Sequence, residues 1–235
     1  MGKLYLAPTP IGNLKDVSDR LRETLKSVAI IACEDTRTTG KLLGLLGIRA
    51  RLISYHEYNE STRAPRLVEY LMRGEDVAVV SDAGAPGISD PSYRVTKAAI
   101  SAGAQIVALP GPCAIIPALT ASGLPTDRFF FEGFLPRTTV TRKKRFAELA
   151  TNSHTLVFYE SPHRIEKAVS DALETLGDRD ACIAREISKI HEEFLRGTLS
   201  ELKSTLEKRK IKGEIVLLIT GAPKQTKEKK NKYKK

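Results

Sequence analysis

Long hydrophobic runs and paired cysteines are both missing from this sequence of 235 residues. No run reaches the roughly 18 apolar residues of a membrane helix, and the opening MGKLYLAPTP lacks the apolar core of a signal peptide. Cys33, Cys113 and Cys182 lie far apart with no CxxC pair, which argues for a reducing compartment and against a zinc site. We therefore expect a cytoplasmic protein without a bound metal.

Several nucleotide-binding and hydrolase motifs are also missing. The dinucleotide fingerprint GxGxxG does not occur, and TGKLL at 39–43 is not a phosphate-binding loop because Asp35 stands where the first glycine belongs. HExxH and GxSxG are absent, so neither a zinc protease nor a serine hydrolase has support. The glycine-rich loops of this chain must therefore serve a different ligand.

A net charge of +10 points to an anionic partner. The tail at 224–235 holds seven lysines and one glutamate, and it suits either contact with nucleic acid or a solvated end. The cluster RTTVTRKKR at 137–145 lies inside the predicted folded region and has five basic residues and no acid. Because phosphate contact needs cations that are held in place, this cluster is the better indication of RNA binding, with a solvated helix face as the alternative.

Short runs typical of strands alternate with amphipathic helical patterns. Strands are predicted at 3–7, 28–33, 51–55, 76–81, 105–110, 128–133, 154–160, 180–186 and 214–220. Helices are predicted to begin at Ser18, at Ser61 and at Ser161, the last two ending at Gly74 and Gly177. This alternation predicts an α/β fold: two α/β domains with mostly parallel sheets facing a central cleft.

Four prolines and two glycines cluster at 109–127, around one short apolar helix. This composition predicts a junction between domains. We expect an N-terminal α/β domain at 1–115, a C-terminal α/β domain at 116–222 that closes the cleft, and a basic, disordered tail at 223–235.

Three predicted strands end in loops rich in glycine and proline: PTPIGNL at 8–14, SDAGAPGISDP at 81–91 and PGPCA at 110–114. Parallel strands deliver such loops to the carboxyl edge of a sheet, where open α/β folds bind ligands. Gly84 and Gly87 allow close backbone approach or a positive φ, and Asp82 and Asp90 can accept hydrogen bonds from a ligand or cap a helix. One such loop is more often structural, but three together favour a binding site.

The sequence resembles the tetrapyrrole-methylase-fold family of S-adenosylmethionine-dependent methyltransferases in these loops and in further segments. Those segments are EDTRTTGKLL (34–43), SYHEYNE (54–60), the stretch from PGPCAIIPAL to FEGFLPR (110–137), YESPHRI (159–165), REISKIHEEFLRG (185–197) and KGEIVLLITGA (212–222). They cover most of the chain. The family pattern usually has glycine where Ser92 stands and serine where Cys113 stands.

The resemblance implies that S-adenosylmethionine is the cofactor and that it binds in the cleft between the domains. The residues implied as cofactor contacts are Pro10, Ser81, Asp82, Ala83, Gly84, Ile88, Cys113 and Ala114 in the first domain, and Tyr159, Ala184, Gly213 and Glu214 in the second. Within the family, the motifs are closest to the branch that methylates the ribose 2′-hydroxyl of a cytidine in 16S rRNA. The implied partners are 16S rRNA in the 30S ribosomal subunit and a second copy of the chain, as a homodimer.

Methyl transfer is an in-line displacement that depends on the placement of the acceptor oxygen, and a ribose hydroxyl benefits from a proton acceptor. The predicted catalytic residues are Asp35, Glu132 and Glu186, with Glu34, Glu57 and His191 also in matched motifs; each is more often an ion-pair partner. The predicted RNA contacts are Arg37, Arg137, Arg142, Lys143, Lys144 and Arg164. Tyr55 and Tyr58 either stack on an unpaired base or pack in the core.

Two alternatives to rRNA methylation stay open at this point. One is a methyltransferase of the same fold that acts on a small molecule such as a tetrapyrrole. The other is a non-catalytic protein that binds RNA and has kept the fold.

Overall fold

The computed structural model describes residues 1–223, which form two compact units. The first unit consists of Met1–Pro117 with Glu186–Glu192, and the second of Ala118–Arg185 with residues 193–223. The boundary expected after residue 115 stays a prediction, and the basic tail at 224–235 lies outside the described residues. Within residues 1–223, no helix is both long and apolar enough to cross a membrane.

The first unit contains a five-stranded sheet in which every pair of neighbours is parallel. Its strands are β1 (Lys3–Leu6), β2 (Ile30–Cys33), β3 (Arg51–Ser54), β4 (Val77–Val80) and β5 (Gln105–Ala108), in the order β3-β2-β4-β1-β5. The central strands β2 and β4 read IIAC and VAVV and are buried throughout. Such continuous apolar runs are typical of parallel strands with helices on both faces.

Helices cover both faces of this first sheet. They are α1 (Asp19–Ser27), α2 (Thr36–Leu46), α3 (Glu60–Met72) and α4 (Tyr93–Ser101). Apolar side chains of α1 and α2 pack on one face, and those of α3 and α4 pack on the other. Helix α1 begins as its sequence predicts, because the Ser18 hydroxyl accepts a hydrogen bond from the backbone N–H of Leu21. A short helix, α5 (Ile115–Ser122), follows β5.

The second unit also contains a five-stranded sheet, in the order β6-β7-β10-β8-β9. Its strands are β6 (Phe129–Phe134), β7 (Thr155–Glu160), β8 (Asp180–Arg185), β9 (Glu193–Thr198) and β10 (Ile215–Ile219), and its helices are α6 (Thr139–Leu149), α7 (Ile165–Leu176) and α8 (Leu199–Lys208). The three helices and the strands share one apolar core that includes Phe146, Phe158 and Leu202.

The predicted α/β class is confirmed, and three details of the second unit differ from the prediction. First, only β6 and β7 are parallel there, because β8 returns directly through β9 and β10 lies antiparallel to β7 and β8. Second, β9 was not predicted, since EFLRGT lacks an apolar run. Third, α7 begins at Ile165 rather than Ser161, because the Ser161 carbonyl accepts hydrogen bonds from Arg164 and Ile165 in a preceding turn.

Candidate active site

The carboxyl edge of the first sheet contains a point where the chain direction switches. Strand β1 leads to α1 on one face, whereas its neighbour β4 leads to α4 on the opposite face. The two connections diverge and leave a crevice outside the strand ends, which is where open α/β sheets bind their ligands. The loops at 8–14 and 81–92 emerge at this position.

Hydrogen bonds join these two loops into one rigid unit. Thr9 and Gly84 form an isolated antiparallel bridge, with N···O distances of 2.9 and 3.0 Å. The buried Thr9 hydroxyl donates to the carbonyl of Ser81 at 3.0 Å, and the Ser81 hydroxyl donates to the carbonyl of Gly84 at 2.8 Å. The Ser81 side chain therefore holds the turn, and its hydroxyl proton is already used within the protein.

Glycine is required at two positions of these loops. Gly84 has a φ of +83°, and a Cβ there would lie 3.3 Å from Cγ2 of Ile11. A Cβ on Gly111 would lie 2.8 Å from Cβ of Pro8, so the loop after β5 packs directly against the loop after β1. Ser92, by contrast, has a φ of −160°, which any residue adopts, so its departure from the family pattern causes no strain.

The first group of predicted cofactor residues lies on these three loops. Ala83 and Ile88 are exposed on the loop after β4, and Pro10, Cys113 and Ala114 are half-buried on the loops after β1 and β5. Small and apolar side chains next to the exposed carboxylate of Asp82 suit a ligand that has an apolar ring system, hydroxyls and an amine. An adenosine attached to an amino acid has these features.

Three carboxylates converge at the ends of the paired strands β2 and β4. Glu34 follows β2, Asp82 and Asp90 follow β4, and Cys33 and Val80 are paired at the strand ends. Burial, together with the charges of Glu34 and Asp82 and a hydrogen bond to Glu34, raises the pKa of Asp90 to about 7. Burial and the charge of Asp82 also raise the pKa of Glu34. Asp90 therefore titrates near neutral pH, where a proton acceptor is most effective.

Asp35 has a structural task that conflicts with its predicted catalytic role. It is the N-cap of α2, where its Oδ1 accepts from the backbone N–H of Arg37 at 2.8 Å, and its Oδ2 accepts from the Arg37 guanidinium at 2.7 Å. These hydrogen bonds lower the pKa of Asp35 to about 2. A carboxylate that holds its charge this strongly is a poor proton acceptor at neutral pH.

The other two predicted catalytic residues are also ion-paired. Glu132 lies on β6 and binds Arg145 through both carboxylate oxygens, at 2.6 and 2.7 Å. Glu186 pairs with Lys189 at 2.9 Å. Ion pairing was the commoner expectation for both residues, and the structure favours it.

The second group of predicted cofactor residues meets at one edge of the second sheet. Val216 of β10 is paired with Tyr159 of β7 on one side and with Ala184 of β8 on the other. Gly213 and Glu214 immediately precede β10 at the same edge, and Gly213 has a φ of +94°. The Tyr159 ring contacts Phe131 and Phe134, with centroids 5.1 and 5.5 Å apart. Residues distant in the sequence are thus adjacent in the sheet.

The structure contradicts one predicted RNA contact, Arg142. Its side chain is only 1% exposed and forms an ion pair with Asp171 at 2.6 Å. Its remaining donors reach the carbonyls of Pro136 and Arg137 and the hydroxyl of Thr139. All of the guanidinium is used inside the second unit, so Arg142 fixes α6 on α7 and does not contact a phosphate.

The other predicted RNA contacts differ in how available they are. Arg164 is held by the buried Glu160 and by the carbonyl of Leu135, and Lys143 pairs with Glu174 at 2.6 Å. The remaining three, Arg37, Arg137 and Lys144, have exposed side chains. Arg37 is exposed but pairs with Asp35, so Arg137 and Lys144 are the predicted contacts with the most available charge.

The two tyrosines considered for base stacking differ in their exposure. Tyr55 is 2% exposed, and its hydroxyl accepts a hydrogen bond from the N–H of Val95, so it belongs to the core. Tyr58 is 92% exposed and suits stacking on a base.

Sequence reasoning did not identify the Glu34–Asp90 pair. The available signal was that an acid follows each of two neighbouring buried strands, but only the sheet order makes β2 and β4 neighbours.

Comparison with known proteins supports the family resemblance that the sequence motifs indicated. The family model of tetrapyrrole (corrin/porphyrin) methylases matches residues 3–203. The chain belongs to this family; it is a methyltransferase, and its cofactor is S-adenosylmethionine.

Curated relatives share almost half of their aligned residues with this chain, and two solved structures share its fold at lower identity. Proteins titled ribosomal RNA small subunit methyltransferase I are 48% identical in Halalkalibacterium halodurans and 45% identical in Bacillus subtilis, in each case over 94% of this chain and 76% of the relative. The methyltransferase CobJ has a TM-score of 0.69 at 20% identity, covering 94% of this chain and 95% of its own. Uroporphyrin-III-C-methyltransferase from Thermus thermophilus has a TM-score of 0.61 at 18% identity, covering 94% and 92%. These two structures share the fold.

Proposed function

We propose that this chain methylates the ribose 2′-hydroxyl of a cytidine in the 16S rRNA of the small ribosomal subunit. The observation that carries the proposal is the identity of 44–48% to curated small-subunit rRNA methyltransferases along about nine-tenths of the chain. The exposed cations Arg37, Arg137 and Lys144 agree with an RNA substrate, because phosphate contacts supply much of the affinity for nucleic acids.

The three loops of the first unit are proposed to bind the cofactor. Backbone hydrogen bonds between Thr9 and Gly84 hold the loops in place before the ligand arrives, so little conformational entropy is lost on binding. Asp82 accepts hydrogen bonds from hydroxyl or amine groups, and Ala83 and Ile88 provide apolar contact. Tyr159, Ala184, Gly213 and Glu214 of the second unit are a separate set of proposed contacts, to be tested with their own variants.

The proton of the acceptor hydroxyl is proposed to leave through the Glu34–Asp90 pair. S-adenosylmethionine, when bound, supplies an electrophilic methyl group on a sulfonium sulfur. The ribose oxygen forms the new C–O bond as the C–S bond breaks, and the carboxylate of Asp90 takes the hydroxyl proton. This assignment replaces Asp35, Glu132 and Glu186, whose carboxylates are occupied by Arg37, Arg145 and Lys189.

The decisive test is a transfer assay with S-[methyl-³H]adenosylmethionine, using unmodified 30S subunits and free 16S rRNA as acceptors. Alkaline hydrolysis then separates the products, because a 2′-O-methyl group protects its 3′ phosphodiester and leaves the label in a dinucleotide. We expect label in a cytidine-containing dinucleotide. Label in mononucleotides would identify a base as the acceptor, and label on a tetrapyrrole instead of RNA would overturn the substrate class. Cofactor binding without transfer to any acceptor would favour a non-catalytic RNA-binding protein.

The proposed homodimer is testable on the same preparation by analytical ultracentrifugation. A sedimentation coefficient matching a single 25.9 kDa chain at micromolar concentration would contradict it.

A further inference from the structure

A basic pocket of about 410 Å³ lies between the outer strand β3 and the helix α3, on the side of the first unit that also carries α4. The residues that line it are Arg51, Leu52, Ile53, Arg63, Arg66, Leu67, Glu69 and Tyr70. None of them belongs to the cofactor loops. Because β3 is at the end of the sheet order, no strand of the described chain covers its outer side.

The charge of this pocket is strongly unbalanced. Arg51, Arg63 and Arg66 face a single acid, Glu69, and that acid is itself 3.7 Å from the guanidinium of Arg73. The guanidinium groups of Arg63 and Arg66 form no hydrogen bond or ion pair with any residue among 1–223. The pocket lining therefore carries a net positive charge, which suits an anionic ligand.

The arginines are held in position by regular structure. Residues 63, 66 and 70 are spaced three and four apart on α3, so their side chains share one face of the helix. The Arg51 guanidinium lies 5.5 Å from the centre of the Tyr70 ring, and Arg73 lies 5.2 Å from it. Cation–π contact on this ring keeps Arg51 in place without neutralising it.

We propose that this pocket binds the phosphate backbone of the substrate RNA, as a second contact outside the site where methyl transfer occurs. The inference rests on the proposed function for the identity of the RNA. Arginine suits the task, because its planar fork binds two phosphate oxygens at once. Three arginines with open donors match a chain of phosphates better than a single small anion.

The location of the pocket also fits a strand of RNA that reaches the carboxyl edge. Arg51 begins β3 and Ser54 ends it, a distance of about 10 Å at the rise of a β-strand. The loop at 55–59 then joins β3 to α3 and carries the exposed ring of Tyr58. RNA with a nucleotide at the strand ends can therefore pass Tyr58, where an unpaired base can stack, and place further phosphates at Arg63 and Arg66.

The test compares two double variants with the same change in charge. Arg63→Gln with Arg66→Gln removes two pocket charges, and Arg20→Gln with Lys26→Gln removes two exposed charges from α1 on the opposite face of the sheet. Binding to 16S rRNA is measured by filter binding between about 50 and 200 mM salt. Cofactor affinity, by calorimetry, verifies that each variant is folded. A third variant, Arg63→Lys with Arg66→Lys, keeps the charge but loses the planar fork.

We expect the pocket variant to bind RNA about tenfold more weakly and to lower the salt slope by about 1.5, with cofactor affinity unchanged. The lysine variant should recover the slope but not the full affinity, and the α1 variant should match the wild type. Two results would contradict RNA binding at the pocket while leaving the proposed function intact. One is an equal loss of RNA affinity in the pocket and α1 variants, and the other is an unchanged salt slope in the pocket variant. Inorganic phosphate that competes at low millimolar concentration would identify a free anion as the occupant and overturn the RNA assignment. Failure of the wild type to bind or methylate RNA would overturn both.

Discussion

The backbone N–H of Asp35 donates a hydrogen bond of 3.1 Å to Oδ1 of Asp82, across the ends of the neighbouring strands β2 and β4. This contact links the first turn of α2 to the proposed cofactor loop. Asp82 is nevertheless an exposed residue. One carboxylate thus both fixes the loop and presents an acceptor to a ligand.

Asp82→Ala should therefore weaken cofactor binding by about tenfold, since it removes a charged acceptor and loosens the loop that carries it. Isothermal titration calorimetry with S-adenosylmethionine measures the effect. Asp127→Ala, at an exposed position in the second unit, is the control and should leave the affinity unchanged. Equal affinity in the two variants would remove Asp82 from the site.

Gly84→Ala should lower the free energy of unfolding by about 1–2 kcal/mol, because alanine is strained at a φ of +83°. Gly44→Ala is the matched control. Gly44 lies in α2, where a Cβ would meet nothing within 4 Å, and alanine there should stabilise the protein by about 0.5 kcal/mol. Chemical denaturation checks both values, and a neutral Gly84 variant would contradict the required geometry.

Arg142→Ala should destabilise the second unit by about 3–5 kcal/mol, because it leaves the carboxylate of Asp171 buried without its partner. Replacing both residues, as Arg142→Met with Asp171→Leu, should recover most of the loss. Lys144→Ala, at an exposed position of the same helix, should change stability by less than about 0.5 kcal/mol. Wild-type stability in Arg142→Ala would return this residue to the RNA-binding candidates.

Arg137→Glu with Lys144→Glu should weaken RNA binding and lower the salt slope by about 1 for each lost phosphate contact. Both side chains are exposed, so the fold should tolerate the change. Filter binding across a salt series measures the slope, and circular dichroism verifies the fold. A slope equal to that of the wild type would exclude this cluster from the RNA interface.

Asp90 should give both activity and stability a dependence on pH near neutrality. The carboxylate must be ionised to accept a proton, so the transfer rate should rise with pH up to about 7, the raised pKa of this group, and then level off. Asp90→Asn should lower the rate by about 100-fold and remove this step. The readout is the initial rate of methyl transfer across a pH series.

The stability of the folded protein should fall as pH rises, whereas the transfer rate should increase. Because the pKa of Asp90 is raised from 3.8 to about 7, the native state binds the proton more tightly than the unfolded chain does. Between these two values stability therefore falls as pH rises. In Asp90→Asn this loss should be absent, so the melting temperature of the variant should gain on that of the wild type between about pH 5 and pH 8. A variant with the same pH dependence as the wild type would contradict the assignment.

Local sequence was sufficient for the features that depend on short-range physics. Apolar runs such as VAVV predicted buried parallel strands, Ser18 predicted the start of α1, and the glycines of the loop at 81–91 predicted turns with positive φ. These features follow from propensity, capping and backbone sterics within a few residues. The family resemblance and its cofactor, which are confirmed, rest on the same short motifs.

Partner choice among charged residues was decided only by the tertiary structure. The run RTTVTRKKR reads as one basic cluster, yet Arg142 is buried against Asp171, 29 residues away, while Lys144 faces solvent. Likewise Glu34 and Asp90 meet because β2 and β4 are neighbours in the sheet, and Arg63 and Arg66 form a pocket because β3 lies at its edge. Charge interactions depend on distance in space and on desolvation, and neither quantity is written in the order of residues along the chain.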